Sequence, residues 1–351
     1  MKLAVIPGDG IGSEVIDSAL RVLRRTSRVI DSGISWDVFD WGAERWLTDG
    51  VGLPDGAPHL LRANYDAVLL GALGDPRIPD MAHGREILLG LRQGLDLCVN
   101  YRPVVLPGGT VHLYRENTQG LYAGVGGAIR RGGIAEVAID ECVYTRETVE
   151  RFLRYSLSDL QRRGSRRVTL VHKSNAVPNT GSLWQDVFRR ELREFPDLAG
   201  NEQYVDAFCY HLVRNPTQFD GVVTSNLFGD VVSDIGAALM GGLGLAASAS
   251  ISPDTGFALF EPVHGSAPDI AGLGIANPYA VLMCVVLLLR HCGFDIPADA
   301  LEQSLSDAVR TEVTTPDLGG IGTTDQFTGE VLRQLDLKLP AIDRDRKRMD
   351  R

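Results

Sequence analysis

Three features predict an α/β fold built on a largely parallel sheet. The chain opens on a buried-strand pattern, Lys2-Leu3-Ala4-Val5-Ile6, broken by a glycine loop, Gly8-Asp9-Gly10-Ile11-Gly12. A helical stripe of Val15, Ile16, Ala19, Leu20, Val22 and Leu23 follows, with Ser13 placed as its N-cap. Strand, polar or glycine-rich turn and helix then recur at Ala67-Val68-Leu69-Leu70, at Arg167-Val168-Thr169-Leu170-Val171 and at Gly221-Val222-Val223-Thr224. Finally, 351 residues exceed the ~250–300 at which one core stops growing, so two domains, or one domain with an elaboration, are expected. In such sheets ligands sit beyond the carboxyl ends of the strands, and the residues just after each strand become the candidates for chemistry.

Composition narrows the classes. Glycine makes up 39 of the 351 residues, about 11% against a usual ~7%, in scattered tight clusters that suit functional loops. A net charge of −10 speaks against nucleic acid as a partner, which needs a clustered basic surface. The basic run Arg344-Asp345-Arg346-Lys347-Arg348 reads as a solvated end. Five cysteines (98, 142, 209, 284 and 292) without a C-x-x-C pair fit reduced, mostly buried thiols in the cytoplasm. No leader pattern opens the chain, and the longest apolar run, 279–289, is about half a membrane span, so it reads as a buried helix and no membrane is expected. Residues 135–140 alternate apolar and polar, as in a half-exposed strand or arm.

The chemistry-bearing residues each have a plain structural alternative. Asp230 and Asp234 stand four apart on one helical pattern, so both carboxylates share a face. Their repulsion would be relieved by a hard cation, though Asp230 is equally a helix cap. Lys173, after a strand in His172-Lys173-Ser174-Asn175, suits a general base or an ordinary surface lysine. Arg92, Arg102 and Arg115 carry guanidinium forks that suit a dicarboxylate if they converge, and surface ion pairs if they do not. Tyr122 suits a proton donor or a loop tyrosine. The turn-rich stretch 264–278 suits a nucleotide loop or a structural one.

Taken in order, these segments resemble the β-decarboxylating dehydrogenase family, which acts on isopropylmalate, isocitrate, homoisocitrate and tartrate. The resemblance runs from IPGDGIG at 6–12 to TPDLGG at 315–320, and is strongest in SNLFGDVVSD (225–234) and FEPVHGSAPDIAGLGIANP (260–278). It implies a two-domain fold sharing one large mixed sheet, not a standard dinucleotide fold, with 1–98 and 242–351 in the cofactor-side domain. The second domain, 99–241, would hold the dimer interface and the arm.

The resemblance also implies roles. Arg92, Arg102 and Arg115 would hold the malate carboxylates. Tyr122 and Lys173 would be the acid–base pair. Asp206, Asp230 and Asp234 would hold Mg²⁺ or Mn²⁺. Gly71, Ala72, Leu73, Gly74 and Asp75 would lie near the nicotinamide of NAD. His264, Gly265, Ser266, Ala267, Asp269, Ile270 and Asn277 would embrace its adenosine, with Asp269-Ile270 standing where NADP-type members carry lysine and tyrosine. In the family the counterparts of Lys173 and Asp206 enter the partner's site, which makes a homodimer obligatory. The 3-substituent of the malate is read by the helix before Arg92, where Arg85, Leu88, Leu89 and Arg92 share one face. Leu88 and Leu89 resemble the isopropylmalate branch, implying conversion to 2-oxoisocaproate in leucine biosynthesis. Arg85 and the stretch 114–122 leave open an anionic substituent, as in homoisocitrate, isocitrate or a phosphonate analogue, and tartrate also stays open. A non-catalytic regulatory subunit is disfavoured by the presence of every catalytic residue type.

Overall fold

The computed structural model describes residues 1–29 and 33–349, and side chains of 1–28 and 33–339. In chain order its strands are β1 (Lys2–Gly8), β2 (Ser35–Val38), β3 (Ala67–Ala72), β4 (Val99–Leu106), β5 (Gly109–Glu116), β6 (Gly126–Ile129), β7 (Val137–Asp140), β8 (Arg167–His172), β9 (Ala199–Tyr204), β10 (Gly221–Thr224), β11 (Ala247–Ile251) and β12 (Ala258–Pro262). Ten of them join one mixed sheet, and β6 and β7 form a separate two-stranded one. This is the α/β class expected, with the shared large sheet. The chain divides into two compact units: Met1–Leu95, Gly241–Ala249 and Phe257–Arg351, and Asp96–Met240 with Ser250–Gly256.

In the first unit the strands run in the order β2-β1-β3-β12-β11, the last ending in the second unit. The pairs β1–β2, β1–β3 and β3–β12 are parallel. Leu3 to Ile6 and Ala67 to Leu70 are completely buried, which is why these strands read as unbroken apolar runs. The apolar run near 280 is the helix Tyr279–His291, with Ala280 through Leu289 buried. Among the described residues no helix is long and apolar enough to cross a membrane.

Helix Gly12–Thr26 buries the predicted stripe, but Ser13 is not its cap. The helix starts one residue before Ser13, with Ile11 at the cap position, Ile11 N on Ser266 O (2.9 Å) and Val15 N already on Ile11 O (3.1 Å), so Ser13 lies inside the first turn.

The second unit orders its strands β4-β5-β10-β8-β9, with β4–β5 antiparallel and the remaining pairs parallel. Val104, Leu113, Val171, Phe208, Val222 and Val232 belong to its core. Ser250–Gly256 clusters here, not with the C-terminal third where the sequence division put it. Ser250 Oγ accepts the amides of Asn100 (3.1 Å) and Asn117 (3.2 Å), and Asp254 pairs with Arg151 (3.1 Å).

The alternating stretch forms β7 of an exposed hairpin. Ile129 lies opposite Val137, and Ile129, Val137 and Ile139 are 61%, 43% and 52% exposed. Of the five free cysteines, Cys98 and Cys284 are buried, Cys209 and Cys292 partly so, and Cys142 is exposed, fewer buried than expected. The backbone of the basic run 344–348 continues the helix Thr324–Met349, and its side chains lie outside the described residues.

Candidate active site

Strand alternation in the second unit places Asn100 and Arg102 on one face of β4, beside Arg115, which is directly opposite Asn100 on β5. Tyr101 and Tyr114 take the other face, with rings 5.0 Å apart. Helix Asn226–Met240 crosses close to Arg115: a Cβ on Gly229 would lie 2.6 Å from the Arg115 side chain, so glycine is needed there. Because this helix begins at Asn226, Asp230 sits in its second turn and is not the cap that the spacing also allowed.

The helix presents Asn226, Asp230 and Asp234 at successive four-residue steps. Asn226 Oδ1 accepts from Arg115 Nε (3.0 Å) and Nη2 (2.7 Å). The Arg115 guanidinium pairs with Asp230. Arg102 Nη1 lies 3.6 Å from Asp230 Oδ1 and 3.9 Å from Asp234 Oδ1, and donates to Ser233 Oγ (2.7 Å). Tyr122 donates its hydroxyl to Asp230 Oδ2 (2.8 Å), and its ring lies 5.2 Å from the Arg115 guanidinium. Burial, and then the neighbouring Asp230 charge, push the Asp234 carboxyl above its ordinary value against the pull of Arg102 and Arg115. Two cations and two anions thus balance in a space where Arg115 is only 1% exposed.

That balance fits a metal–dicarboxylate pair. A divalent cation would relieve the Asp230–Asp234 repulsion while a dianion takes the released guanidinium groups, and the net charge would not change. Asp206 is not in this cluster. It pairs with Lys173 just after the carboxyl ends of β8 and β9 and is 68% exposed, with Lys173 Nζ 5.8 Å from the Tyr204 ring. Among the described residues no three acidic, histidine or cysteine side chains gather to hold a metal.

Sequence reasoning missed three residues here. Asn226 was detectable as the first step of the four-residue ladder. Ser233 was not detectable. Buried Glu116 accepts from Thr118 N (2.8 Å), Thr118 Oγ1 (2.7 Å) and Gln119 N (2.9 Å), which shapes the turn leading to Tyr122.

In the first unit, three loops stand at the carboxyl ends of β1, β3 and β12. Strand β3 runs two residues further than predicted, so Gly71 and Ala72 are strand and the turn is Leu73, Gly74 and Asp75. Gly10 has φ +53°, and a Cβ on it would lie 2.1 Å from the Ser266 carbonyl oxygen, so only glycine lets these loops meet. Ser266 is buried, Ala267 has φ +39°, and Asp269 is exposed. Burial lowers the His264 imidazole, whose Nδ1 lies 3.0 Å from Gly265 O. Asn277 Nδ2 donates to Asp317 Oδ2 (2.9 Å), tying this loop to TPDLGG. The Arg77 guanidinium beside Asp75 holds its carboxyl down to about 2. Arg92, 5% exposed, donates to Glu261 Oε1 (3.0 Å), another partner the sequence did not suggest.

On helix Ala82–Gly94, Leu88 and Leu89 are half-buried. Arg85 is exposed and donates to the backbone carbonyl of Asp80 (2.8 Å). Glu86 is occupied by the amides of Gly52 and Leu53, both at 3.1 Å.

A family model described as isocitrate/isopropylmalate dehydrogenase matches residues 2–331. A protein named 3-isopropylmalate dehydrogenase from Thermobifida fusca is 41% identical over 349 residues, covering 95% of this chain and 98% of its own. One of the same name from Corynebacterium kroppenstedtii is 45% identical over 341 residues, covering 93% and 98%. Among solved structures, an isocitrate dehydrogenase from Methylococcus capsulatus superposes with TM-score 0.85 at 36% identity, over 95% of this chain and 99% of that one. A beta-decarboxylating dehydrogenase from Thermococcus kodakarensis, in its apo form, gives 0.81 at 33%, over 95% and 96%.

Proposed function

Because this chain belongs to the isocitrate/isopropylmalate dehydrogenase family, we propose that it oxidises and decarboxylates 3-isopropylmalate with NAD and Mg²⁺ or Mn²⁺, as a cytoplasmic homodimer in leucine biosynthesis. The observation that carries the reaction is the cluster of Arg102, Arg115, Tyr122, Asp230 and Asp234, a balanced set of dicarboxylate forks, metal-type oxygens and a proton donor. Near full-length relatives that carry the isopropylmalate name support the substrate, as does Arg85, whose guanidinium is engaged by Asp80 while Leu88 and Leu89 offer an apolar wall. Asp269 supports NAD, since an exposed carboxylate suits ribose hydroxyls and repels a 2′-phosphate.

Arg102 and Arg115 bind and orient the malate carboxylates, with Arg92 as the third fork. NAD would supply a hydride acceptor for C2, and a divalent cation, which Asp230 and Asp234 would hold together with Asp206 of a second copy of the chain, would supply Lewis-acid stabilisation. Lys173 takes the 2-hydroxyl proton. After the carboxylate on C3 leaves as CO₂, Tyr122 delivers a proton to C3. Lys173 and Asp206 pair with each other and apart from the aspartate cluster, which supports their service in a partner's site. The exposed Ile129, Val137 and Ile139 support the hairpin as an intersubunit arm.

The deciding measurement is kcat/KM for a panel of 3-substituted malates with NAD and with NADP, plus Mg²⁺, Mn²⁺ or a chelator. The expected best pair is 3-isopropylmalate with NAD, silent in chelator. The isocitrate dehydrogenase likeness supports one rival, so a higher kcat/KM for isocitrate or homoisocitrate overturns the substrate. Absence of turnover on every malate overturns the enzyme reading and points to a regulatory subunit.

A further inference from the structure

Asp9, in the glycine loop after β1, is 8% exposed and is the knot of the first unit's loops. Its Oδ1 accepts from Ala43 N (2.6 Å), and its Oδ2 from Gly74 N (2.8 Å). The same Oδ2 lies 2.8 Å from His83 Nε2. His83 is wholly buried at the start of helix Ala82–Gly94, and its Nδ1 has no hydrogen-bond partner among the described residues. Asp9 is therefore the one polar anchor of that ring, and Nε2 carries the donated proton. An apolar side chain would fill the same space without burying an unsatisfied nitrogen, so packing alone does not account for a histidine here.

The segment leading into His83 is strained. Asp80 (φ 55°) and Met81 (φ 53°) are consecutive non-glycine residues in the left-handed region. Arg85 holds the first by its carbonyl. The second lays its side chain against Gly74, its Cε 2.8 Å from where a Cβ on that glycine would stand. Two contacts from one segment thus converge on Gly74: Met81 directly, and His83 through Asp9 on the amide.

We propose that His83 and Asp9 are a positioning pair that fixes the Gly74 amide and the turn of residues 73–75 for cofactor binding. The cofactor's identity rests on the NAD reading above; the hold on Gly74 does not. Arg85 then belongs to the same device, supporting the strained entry to the helix.

The test compares His83→Leu with His83→Gln, whose amide nitrogen reaches the place of Nε2. In ligand-free protein, hydrogen–deuterium exchange of the peptide covering 71–77 should rise about tenfold in the leucine variant and stay within about threefold of wild type in the glutamine variant. Exchange in helix Tyr279–His291 should not move. In turnover, the leucine variant should raise KM for NAD about tenfold while KM for the malate changes less than about twofold, with glutamine restoring the former. Unchanged exchange at 71–77, or no rescue by glutamine, overturns the pair. Faster exchange with an unchanged KM for NAD overturns its part in cofactor binding and leaves a structural tie. If the leucine variant does not fold, Asp9→Asn carries the same measurements. A wild-type protein that does not use NAD overturns the function reading, while the exchange result still decides whether His83 holds Gly74.

Discussion

In the first unit the loops after β1, β3 and β12 meet through backbone: Ile11 N on the Ser266 carbonyl, Asp9 N on the Ala72 carbonyl, Gly10 against Ser266. In the second unit the ends of β4 and β5 and the crossing helix meet through charge: Arg102 and Arg115 on Asp230, with Asp234 and Tyr122 around them. A backbone-built surface is damaged by adding atoms, because its precision comes from close approach. A charge-built one is damaged by removing charge with no change of shape. The two should therefore fail differently under substitution.

The largest expected effect is in the charged cluster. Asp230→Asn should lower kcat/KM by about a thousandfold or more, equivalent to ~4 kcal/mol of transition-state stabilisation, and lower the melting temperature, because the buried Arg115 loses its paired anion. More than about a tenth of wild-type activity in saturating Mn²⁺ would remove Asp230 from the metal site. Next is Gly10→Ala, which forces an L side chain into a left-handed backbone 2.1 Å from the Ser266 oxygen. It should raise KM for NAD by about tenfold to a hundredfold and lower the melting temperature, while tight binding of Mn²⁺ with substrate is retained. Equal loss of metal and NAD binding would erase the contrast between the units.

Asp269→Ala probes the charge assigned to cofactor choice on the backbone-built side. It should cut the NAD-over-NADP ratio in kcat/KM by about tenfold, and an unchanged ratio would move cofactor choice elsewhere. The smallest effect is expected for Arg85→Ala, within about threefold in kcat/KM for 3-isopropylmalate, as for an exposed residue that touches no substrate. A hundredfold loss on the best substrate would instead put its guanidinium on an anionic substituent.

Legibility in the sequence followed the same divide. The Asp230–Asp234 pair was visible because helix geometry turns a spacing of four into a shared face, and the buried strands because unbroken apolar runs have one economical use. Ser13 was misplaced as a cap because the helix starts one residue earlier, at Gly12, where Ile11 N is held by the Ser266 carbonyl from 255 positions away. Glu261 beneath Arg92, Ser233 beneath Arg102 and His83 beside Asp9 were missed for a related reason: each is an ordinary residue made specific by a neighbour distant in sequence. Arg85 was ambiguous in sequence because its partner is a backbone carbonyl, which no residue pattern encodes.

The pairing of β3 with β12 has a consequence for how the chain is made. Ala67 to Leu69 find their partners in Ala258 to Phe260, so about 190 residues separate the two strands. At ~5–20 residues per second on a ribosome, β3 waits roughly ten to forty seconds with one hydrogen-bonding edge bare and every side chain apolar. The second unit, Ser250–Gly256 included, is complete in sequence only just before β12 begins, so it is made while β3 waits. Synthesis therefore leaves the N-terminal strands as the aggregation-prone part of the nascent chain, and slowing translation between β3 and β12 should lower soluble yield more than slowing it after β12.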